Sequence, residues 1–183
     1  MSSMRFLCGM MLATGIVVLN GRASFAVDGE YGVRQGLWSV SGATSFSIQH
    51  EVDDPDDDTS TWNLSGAVGY FVTDAFSFDT IASLLGNFDG DHAELVHFAG
   101  TIHFLPRQRF TPYIQGGIGF IHADADVGAF GIDDTEGSYL VGGGIKYFVA
   151  HNISFNLAIQ YAALFDPPDD GFMNYGLGFG LYF

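Results

Sequence analysis

The chain has 183 residues, a formal net charge of −15, 25 glycines, 18 phenylalanines and only 6 lysines and arginines. Its length suits a single domain. Because phosphate binding needs clustered lysine and arginine, this acidity argues against nucleic acid as a partner. Outside the amino terminus, no apolar run reaches the roughly 18 residues of a membrane-spanning helix.

The amino terminus predicts a secretory signal peptide over residues 1–26, with Arg5 before an apolar run and small residues before a cut at Val27. The alternative is a single anchoring helix, which the short run disfavours. Cys8, the only cysteine, lies inside the apolar run. The mature chain is therefore expected to have neither disulfides nor thiolate chemistry.

A short polar lead-in, residues 27–36, precedes eight strand-like segments separated by turn signals. Each segment is about long enough to cross a bilayer as a tilted strand. The segments are Leu37–His50, Thr61–Val72, Phe76–Asn87, Glu94–Leu105, Thr111–Ala123, Gly137–Val149, Ile153–Leu164 and Phe172–Phe183.

Apolar residues alternate with small or polar residues in these segments, which is the period of a strand with two different faces. In the seventh segment Phe155 and Leu157 oppose Ser154 and Asn156. The third segment is the least regular, because Ile81 and Leu85 fall on its polar parity. No segment shows a sustained helical period.

The connections alternate between short turns and longer or more polar loops, and aromatic residues collect at both ends of the segments. This is the pattern of outer-membrane β-barrels, whose short turns are periplasmic. An even strand number would put both termini on that side. A secreted β-sandwich is the alternative. It would leave the two aromatic bands unexplained.

The chain resembles the small outer-membrane β-barrel proteins of Gram-negative bacteria, the eight-stranded class of OmpA-type barrel domains and OmpX-like barrels. The resemblance covers the mature chain, residues 27–183, and implies an eight-stranded antiparallel up-and-down transmembrane barrel. The segments that carry it are 68–74 (VGYFVTD), 111–120 (TPYIQGGIGF), 142–148 (GGGIKYF) and the closing strand 172–183.

The resemblance also implies partners: outer-membrane lipid, lipopolysaccharide and the outer-membrane assembly machinery, with the barrel as a monomer. In this class the machinery recognises a final aromatic residue, with an apolar residue two positions earlier and a glycine three further back. Phe183, Leu181 and Gly178 hold those positions. No peptidoglycan-binding domain follows, so that role of longer relatives is not implied.

A set of polar residues shares the inward parity of its strands and is predicted to form an interior network. Since side chains nearly fill an eight-stranded barrel, a mutually satisfied buried network is one interpretation. A narrow water-filled path is the other. Lys146 and Asp79 lie at similar heights, so an ion pair or a shared network with His103 is expected. The set is Asp79, His97, His103, Gln115, Lys146, Asn156 and Gln160.

Some small barrels of this class modify lipid A, and one kind, a deacylase, uses His, Ser and an acid on the outer face. Such a site would need a histidine followed two positions later by a serine on a strand. His97 and His103 are not followed in this way, and His151 precedes Ser154 by three positions. The sequence therefore predicts no catalytic residues.

The first long loop carries an acidic run over residues 51–58 that lacks the glycine and terminal glutamate of an EF-hand loop. A solvated loop is one interpretation, and capture of calcium or magnesium by several loops together is the other. No other cofactor is expected. The candidate ligands are Asp53, Asp54, Asp56, Asp57 and Asp58.

These patterns predict a non-catalytic outer-membrane barrel with acidic extracellular loops and a structural, adhesive or surface-protective role. A narrow low-conductance channel is the alternative. A lipid A-modifying enzyme is the third hypothesis.

Overall fold

The computed structural model describes residues 31–48, 60–87, 92–123, 135–165 and 171–183. Eight strands form one closed barrel in sequence order. They are β1 (Trp38–Ile48), β2 (Ser60–Phe71), β3 (Phe76–Asn87), β4 (His92–His103), β5 (Phe110–Ala123), β6 (Thr135–Ala150), β7 (Ile153–Leu164) and β8 (Gly171–Tyr182). The eight-stranded antiparallel barrel is confirmed, and each strand end lies within two residues of its predicted position.

Every strand pairs antiparallel with its neighbours, and β1 pairs with β8 from Ser39–Tyr182 to Ser47–Asn174. Beyond that ladder, the Trp38 amide donates to the Phe183 carbonyl at 2.8 Å and the Phe183 amide donates back at 3.0 Å. The closing strand therefore continues its pairing through its last residue. A ladder that closes on itself leaves no strand edge unpaired.

The connections define two ends of the barrel. Residues 72–75, 104–109 and 151–152 form the turn end, and the remaining connections, 49–59, 88–91, 124–134 and 165–170, form the loop end. Connection 88–91 is shorter than 104–109, because β4 begins at His92, two residues before the predicted start. Its sequence, Phe-Asp-Gly-Asp, is polar, as the prediction of longer or more polar loops at this end requires.

The outward faces of the strands carry a belt of exposed apolar side chains around the barrel. Phe78, Phe155 and Leu177 expose 61%, 62% and 65% of their surface. Aromatic residues of the belt lie towards both ends, for example Tyr147 near the turn end and Tyr175 near the loop end. Among the described residues there is no helix with the length and apolar character to span a membrane.

The lumen contains two apolar clusters, one at each end. The loop-end cluster includes Ile81 and Leu85, which explains why these two residues break the polar parity of β3. Its members are Ile81, Leu85, Ala93, Leu95, Ala99, Ile121, Leu140, Ala162, Leu164 and Phe172. The turn-end cluster consists of Val33, Leu37, Phe71, Phe148 and Tyr182.

The segment 31–37 crosses the turn end and supplies two members of the turn-end cluster. Val33 is fully buried and Leu37 is 4% exposed, so the lead-in predicted as polar over 27–36 contributes one apolar residue, Val33, to the lumen. Backbone hydrogen bonds join Gly36 and Leu37 to Phe71. Gly32 has a φ of +91°, and an added Cβ there would lie 2.7 Å from the Arg107 backbone, so a side chain would push the segment off the barrel.

Polar contacts at the rim also hold this segment in place. The Gln35 amide donates to the Asp74 carboxylate at 2.8 Å, and that carboxylate pairs with Arg107 at 2.8 Å. The Arg109 guanidinium lies 4.3 Å from the centre of the Tyr31 ring. Side-chain hydrogen bonds with Tyr31 and, to a smaller extent, with Tyr147 raise the pKa of Arg109 above its usual value.

Truncating the turn-end cluster tests whether segment 31–37 contributes to stability. We expect Leu37→Ala to lower the free energy of unfolding by about 2–4 kcal/mol, because it leaves a cavity against Phe71 and Phe148. The matched control is Leu105→Ala, where the side chain is 60% exposed and the change should be about 0.5 kcal/mol or less. Urea unfolding in detergent micelles measures both; equal midpoints would contradict the assignment.

Candidate functional site: the polar chamber of the lumen

A polar chamber lies in the lumen between the two apolar clusters, with a cavity volume of about 90 Å³. One part of its wall is made of small residues of β1, β2 and β8, including Ser41, Ala43 and Gly178. The polar side chains that line it are Ser45, Ser65, Asp79, Thr101, Tyr113, Gln115, Lys146, Asn156, Gln160 and Asn174. The chamber therefore holds a carboxylate, that of Asp79, and an ammonium, that of Lys146.

Asp79 is held in the chamber by hydroxyl donors from two strands. One carboxylate oxygen accepts hydrogen bonds from Ser77 at 2.9 Å and from Thr101 at 2.6 Å. The other oxygen lies over Gly69, where any Cβ would collide with it. The side chain is fixed because a glycine faces it on β2 and hydroxyl groups flank it on β3 and β4.

Lys146 lies inside the lumen, as its parity predicts, and its ammonium contacts His103. The distance from Nζ to the His103 Nε2 is 2.9 Å. Since Lys146 has donors only, this imidazole must be neutral and must accept at Nε2. The ammonium also lies 5.1 Å from the centre of the Tyr113 ring and 5.7 Å from that of Phe71, within the range of cation–π attraction.

The expected contact between Lys146 and His103 is present, whereas the ion pairs of the described residues include none between Lys146 and Asp79. The two charged groups line the same chamber without direct contact. Parity placed both groups in the lumen. It did not determine which side chains meet across it.

Several polar atoms of the chamber region are buried without a protein partner. In the described part of the chain these atoms are Asn63 Oδ1, His103 Nδ1, Gln115 Nε2 and Asn174 Oδ1. Asn156 is better satisfied, since it accepts from Ser154 at 2.7 Å, and Ser154 contacts the Tyr182 hydroxyl at 3.1 Å. A buried polar group without a partner is costly, so the chamber requires further hydrogen-bonding atoms.

His97 belongs to a different environment from the rest of the predicted network. Its Nε2 lies 3.0 Å from the Ser138 hydroxyl, and both residues are almost fully buried near the loop-end cluster. The pair faces the lumen, where no lipid outside the barrel can reach it. This arrangement satisfies a buried histidine and provides no nucleophile at the outer surface.

The structure thus brings five predicted residues to the chamber wall: Asp79, Gln115, Lys146, Asn156 and Gln160. His103 joins them through Lys146, and His97 lies apart. Gly178 faces the lumen, where an added Cβ would meet Gly42 and Ala43, and Leu181 lies on the outer face. The acids Asp53, Asp54, Asp56, Asp57 and Asp58, and the signal peptide, lie outside the described residues.

Cation binding by the acidic loop therefore stays a prediction. Among the described residues, no group of three or more His, Cys, Asp or Glu side chains could hold a metal ion.

Sequence reasoning missed three contributors to the chamber: Thr101, Tyr113 and Asn174. Each lies on the inward parity of its strand, which is the signal that would have included it. Thr101 could have been included because it precedes His103 by two residues on β4 and pairs with Ser77, two residues from Asp79 on β3.

Comparison with known proteins agrees with this architecture. The family model described as the outer membrane protein beta-barrel domain matches residues 11–183. The chain belongs to this outer-membrane β-barrel family. Membership places it in the outer membrane of Gram-negative bacteria and assigns the exposed apolar belt to the membrane. A search of curated protein sequences finds no match.

Solved structures of other outer-membrane barrels resemble this one in fold. The N-terminal β-barrel domain of Pseudomonas aeruginosa OprF is 17% identical, with a TM-score of 0.65 over 82% of this chain and 99% of that one. Neisserial surface protein A is 15% identical, with a TM-score of 0.65 over 81% and 98%. The outer membrane enzyme PagL is 18% identical, with a TM-score of 0.52 over 78% and 98%.

A hydroxyl substitution tests how firmly the chamber holds its carboxylate. We expect Thr101→Val to lower the free energy of unfolding by about 1.5–3 kcal/mol, because the half-buried Asp79 carboxylate loses its shorter hydrogen bond. Thr80→Val is the control, since Thr80 lies on the outward parity of β3 and should change stability little. Urea titration followed by tryptophan fluorescence compares them. Equal destabilisation by both would contradict the role of Thr101.

Proposed function

We propose that the chain is a non-catalytic, non-conducting outer-membrane barrel that presents acidic loops at the cell surface in a structural, adhesive or protective role. The observation that carries this proposal is the filling of the lumen. Apolar clusters lie on both sides of a chamber of only about 90 Å³. A pore would need a continuous polar path, and both clusters lie across such a path.

A narrow channel is the second candidate, because the chamber itself is polar and contains a cation and an anion. Conduction would require the turn-end cluster, including Val33 and Phe148, to move aside. It would also require displacement of loop-end residues such as Leu85 and Ile121, which are fully buried. Removing these apolar contacts costs free energy at both ends, which favours the closed barrel.

An enzymatic role has less support, although the fold also occurs in the outer membrane enzyme PagL. Catalysis on a membrane lipid requires a nucleophile and a base within reach of the outer face. The histidine–serine pair of His97 and Ser138 lies in the lumen instead. Mass spectra of lipid A from cells with and without the protein test this point. A changed acylation pattern would show that the protein is an enzyme.

The proposed orientation places both termini and the turn end in the periplasm and the loop end outside. Its support is the even number of strands and the short connections 72–75 and 151–152. In this orientation the loops would contact lipopolysaccharide and the belt would contact lipid, with the barrel as a monomer. A tag inserted in 124–134 should be accessible to antibody on intact cells, whereas a tag at 151–152 should not.

Planar-bilayer recording tests the absence of conduction. We expect the purified protein to produce no discrete current steps, because both ends of the lumen are filled. Insertion is verified with a variant in which Phe148 and Val33 are both changed to Ser, which should add brief steps by weakening the turn-end cluster. Regular steps from the unmodified protein that disappear in Ala43→Leu, which places a larger side chain in the chamber, would establish the channel instead.

Deleting Phe183 tests both closure and the predicted assembly signal, which includes Leu181 and Gly178. The deletion removes two backbone hydrogen bonds to Trp38 and the aromatic group expected to contact the assembly machinery. We expect less folded, heat-modifiable barrel in the outer membrane. Phe183→Tyr keeps the backbone and an aromatic ring and should insert normally. Normal levels of the deleted form would contradict the prediction.

A further inference from the structure

We infer that the chamber is a binding site for a small cluster of ordered water molecules, and that this cluster bridges Lys146 and Asp79 into one water-mediated ion pair. The inference concerns the interior of the barrel and holds independently of its surface role. It assigns a ligand, water, to the two buried atoms on Gln115 and Asn174 that line the chamber, and to two charged groups that the protein alone leaves incompletely paired.

The ammonium of Lys146 supplies the first argument. An ammonium has three donors. Among the described residues, the ammonium makes its hydrogen bond to His103, at 2.9 Å. The surrounding rings of Phe71, Tyr113 and Tyr182, at 5.7, 5.1 and 5.8 Å, attract the charge but accept no conventional hydrogen bond through their faces. Two donors of the ammonium therefore remain for acceptors in the chamber that Lys146 lines.

Asp79 supplies the complementary need. The hydrogen bonds from Ser77 and Thr101 both go to one carboxylate oxygen, Oδ2, and neither goes to Oδ1. An ionised carboxylate has about four acceptor sites. Two charges in one small chamber without direct contact are costly unless they are hydrated or bridged. Water accepts from an ammonium and donates to a carboxylate, so it joins the two groups without any movement of the strands.

The neutral residues of the chamber point to the same ligand. Asn174, only 4% exposed, has an unpartnered Oδ1, and Gln115 has an unpartnered Nε2. One is an acceptor and the other a donor. A metal cation would satisfy the first and be repelled by the second, and an anion would do the reverse. Water satisfies both, because it donates and accepts.

The space available fits several water molecules. A buried water molecule needs roughly 10–15 Å³ of cavity volume and two to four polar partners. The chamber offers about 90 Å³ and at least six polar side chains on its wall. Its small wall residues, Ala43, Gly176 and Gly178, leave this space open, and the apolar clusters at both ends hinder exchange with bulk water.

A double-mutant cycle tests the bridge. Lys146→Met and Asp79→Asn each leave one half-buried charge of the chamber without its counter-charge, and each should raise the unfolding constant about tenfold or more. The double variant should be at least tenfold more stable than the product of the two single effects predicts. If the two effects multiply without coupling, the charges do not interact and the inference is wrong.

A control pair separates this coupling from general damage to the barrel. Ser138→Ala removes the partner of His97 near the loop-end cluster, away from the chamber wall. Its effect should multiply with that of Lys146→Met without coupling. Coupling of the same size in this pair would mean that the first cycle reports a global change, and it would overturn the bridge.

Detection of the water itself keeps the inference testable if the charge variants do not fold. Magnetisation transfer from water to side-chain amide protons, recorded by NMR on the unmodified barrel in nanodiscs, should show long-lived contacts at Gln115 and Asn174. The exposed side chain of Gln35 is the internal control and should show only short-lived contacts. The absence of any transfer to both chamber residues would show a dry chamber and refute the inference.

Discussion

Closure of the hydrogen-bond ladder is the constraint on which the rest of this barrel depends. In a hydrocarbon environment an unpaired backbone amide or carbonyl costs several kcal/mol, so a sheet can span a membrane only as a closed barrel. Here β1 and β8 meet in continuous register, and Trp38 and Phe183 extend the pairing to the turn end. Eight strands then fix a lumen that side chains nearly fill. The interior side chains must therefore pack within a fixed volume, because the wall of the barrel cannot expand.

The side chains of the lumen are arranged in layers along the barrel axis. Apolar residues close the two ends, and polar and charged residues occupy the middle. Small residues of the wall allow this arrangement: Gly69 makes room for the Asp79 carboxylate, and an added Cβ at Gly144 would collide with Tyr113. Other small residues, including Gly176 and Gly178, line the chamber and leave its space open.

The strands were predictable from the sequence because each has one face in lipid and one in the lumen, which imposes a period of two. Ile153–Leu164 and Phe76–Asn87 were located with correct ends for this reason. Segment 31–37 could not be recognised in the same way, since it is short and its apolar residues Val33 and Leu37 show no period. Their burial depends on Phe71, Phe148 and Tyr182, which come together only when distant strands close.

The candidate site shows the limit of parity more sharply. His97 and His103 lie on one face of β4, yet one contacts Ser138 and the other contacts Lys146. Parity determines that a side chain faces the lumen, whereas its partner depends on height and on the residues across the barrel. His97 lies at the height of the loop-end cluster, where the neutral hydroxyl of Ser138 is a sufficient hydrogen-bond partner. His103 ends β4 at the turn end, beside the ring of Phe71 and the ammonium of Lys146, which only a neutral imidazole can accept. The two histidines therefore have different chemistry because the layers of the lumen, rather than the strand that carries them, set their surroundings.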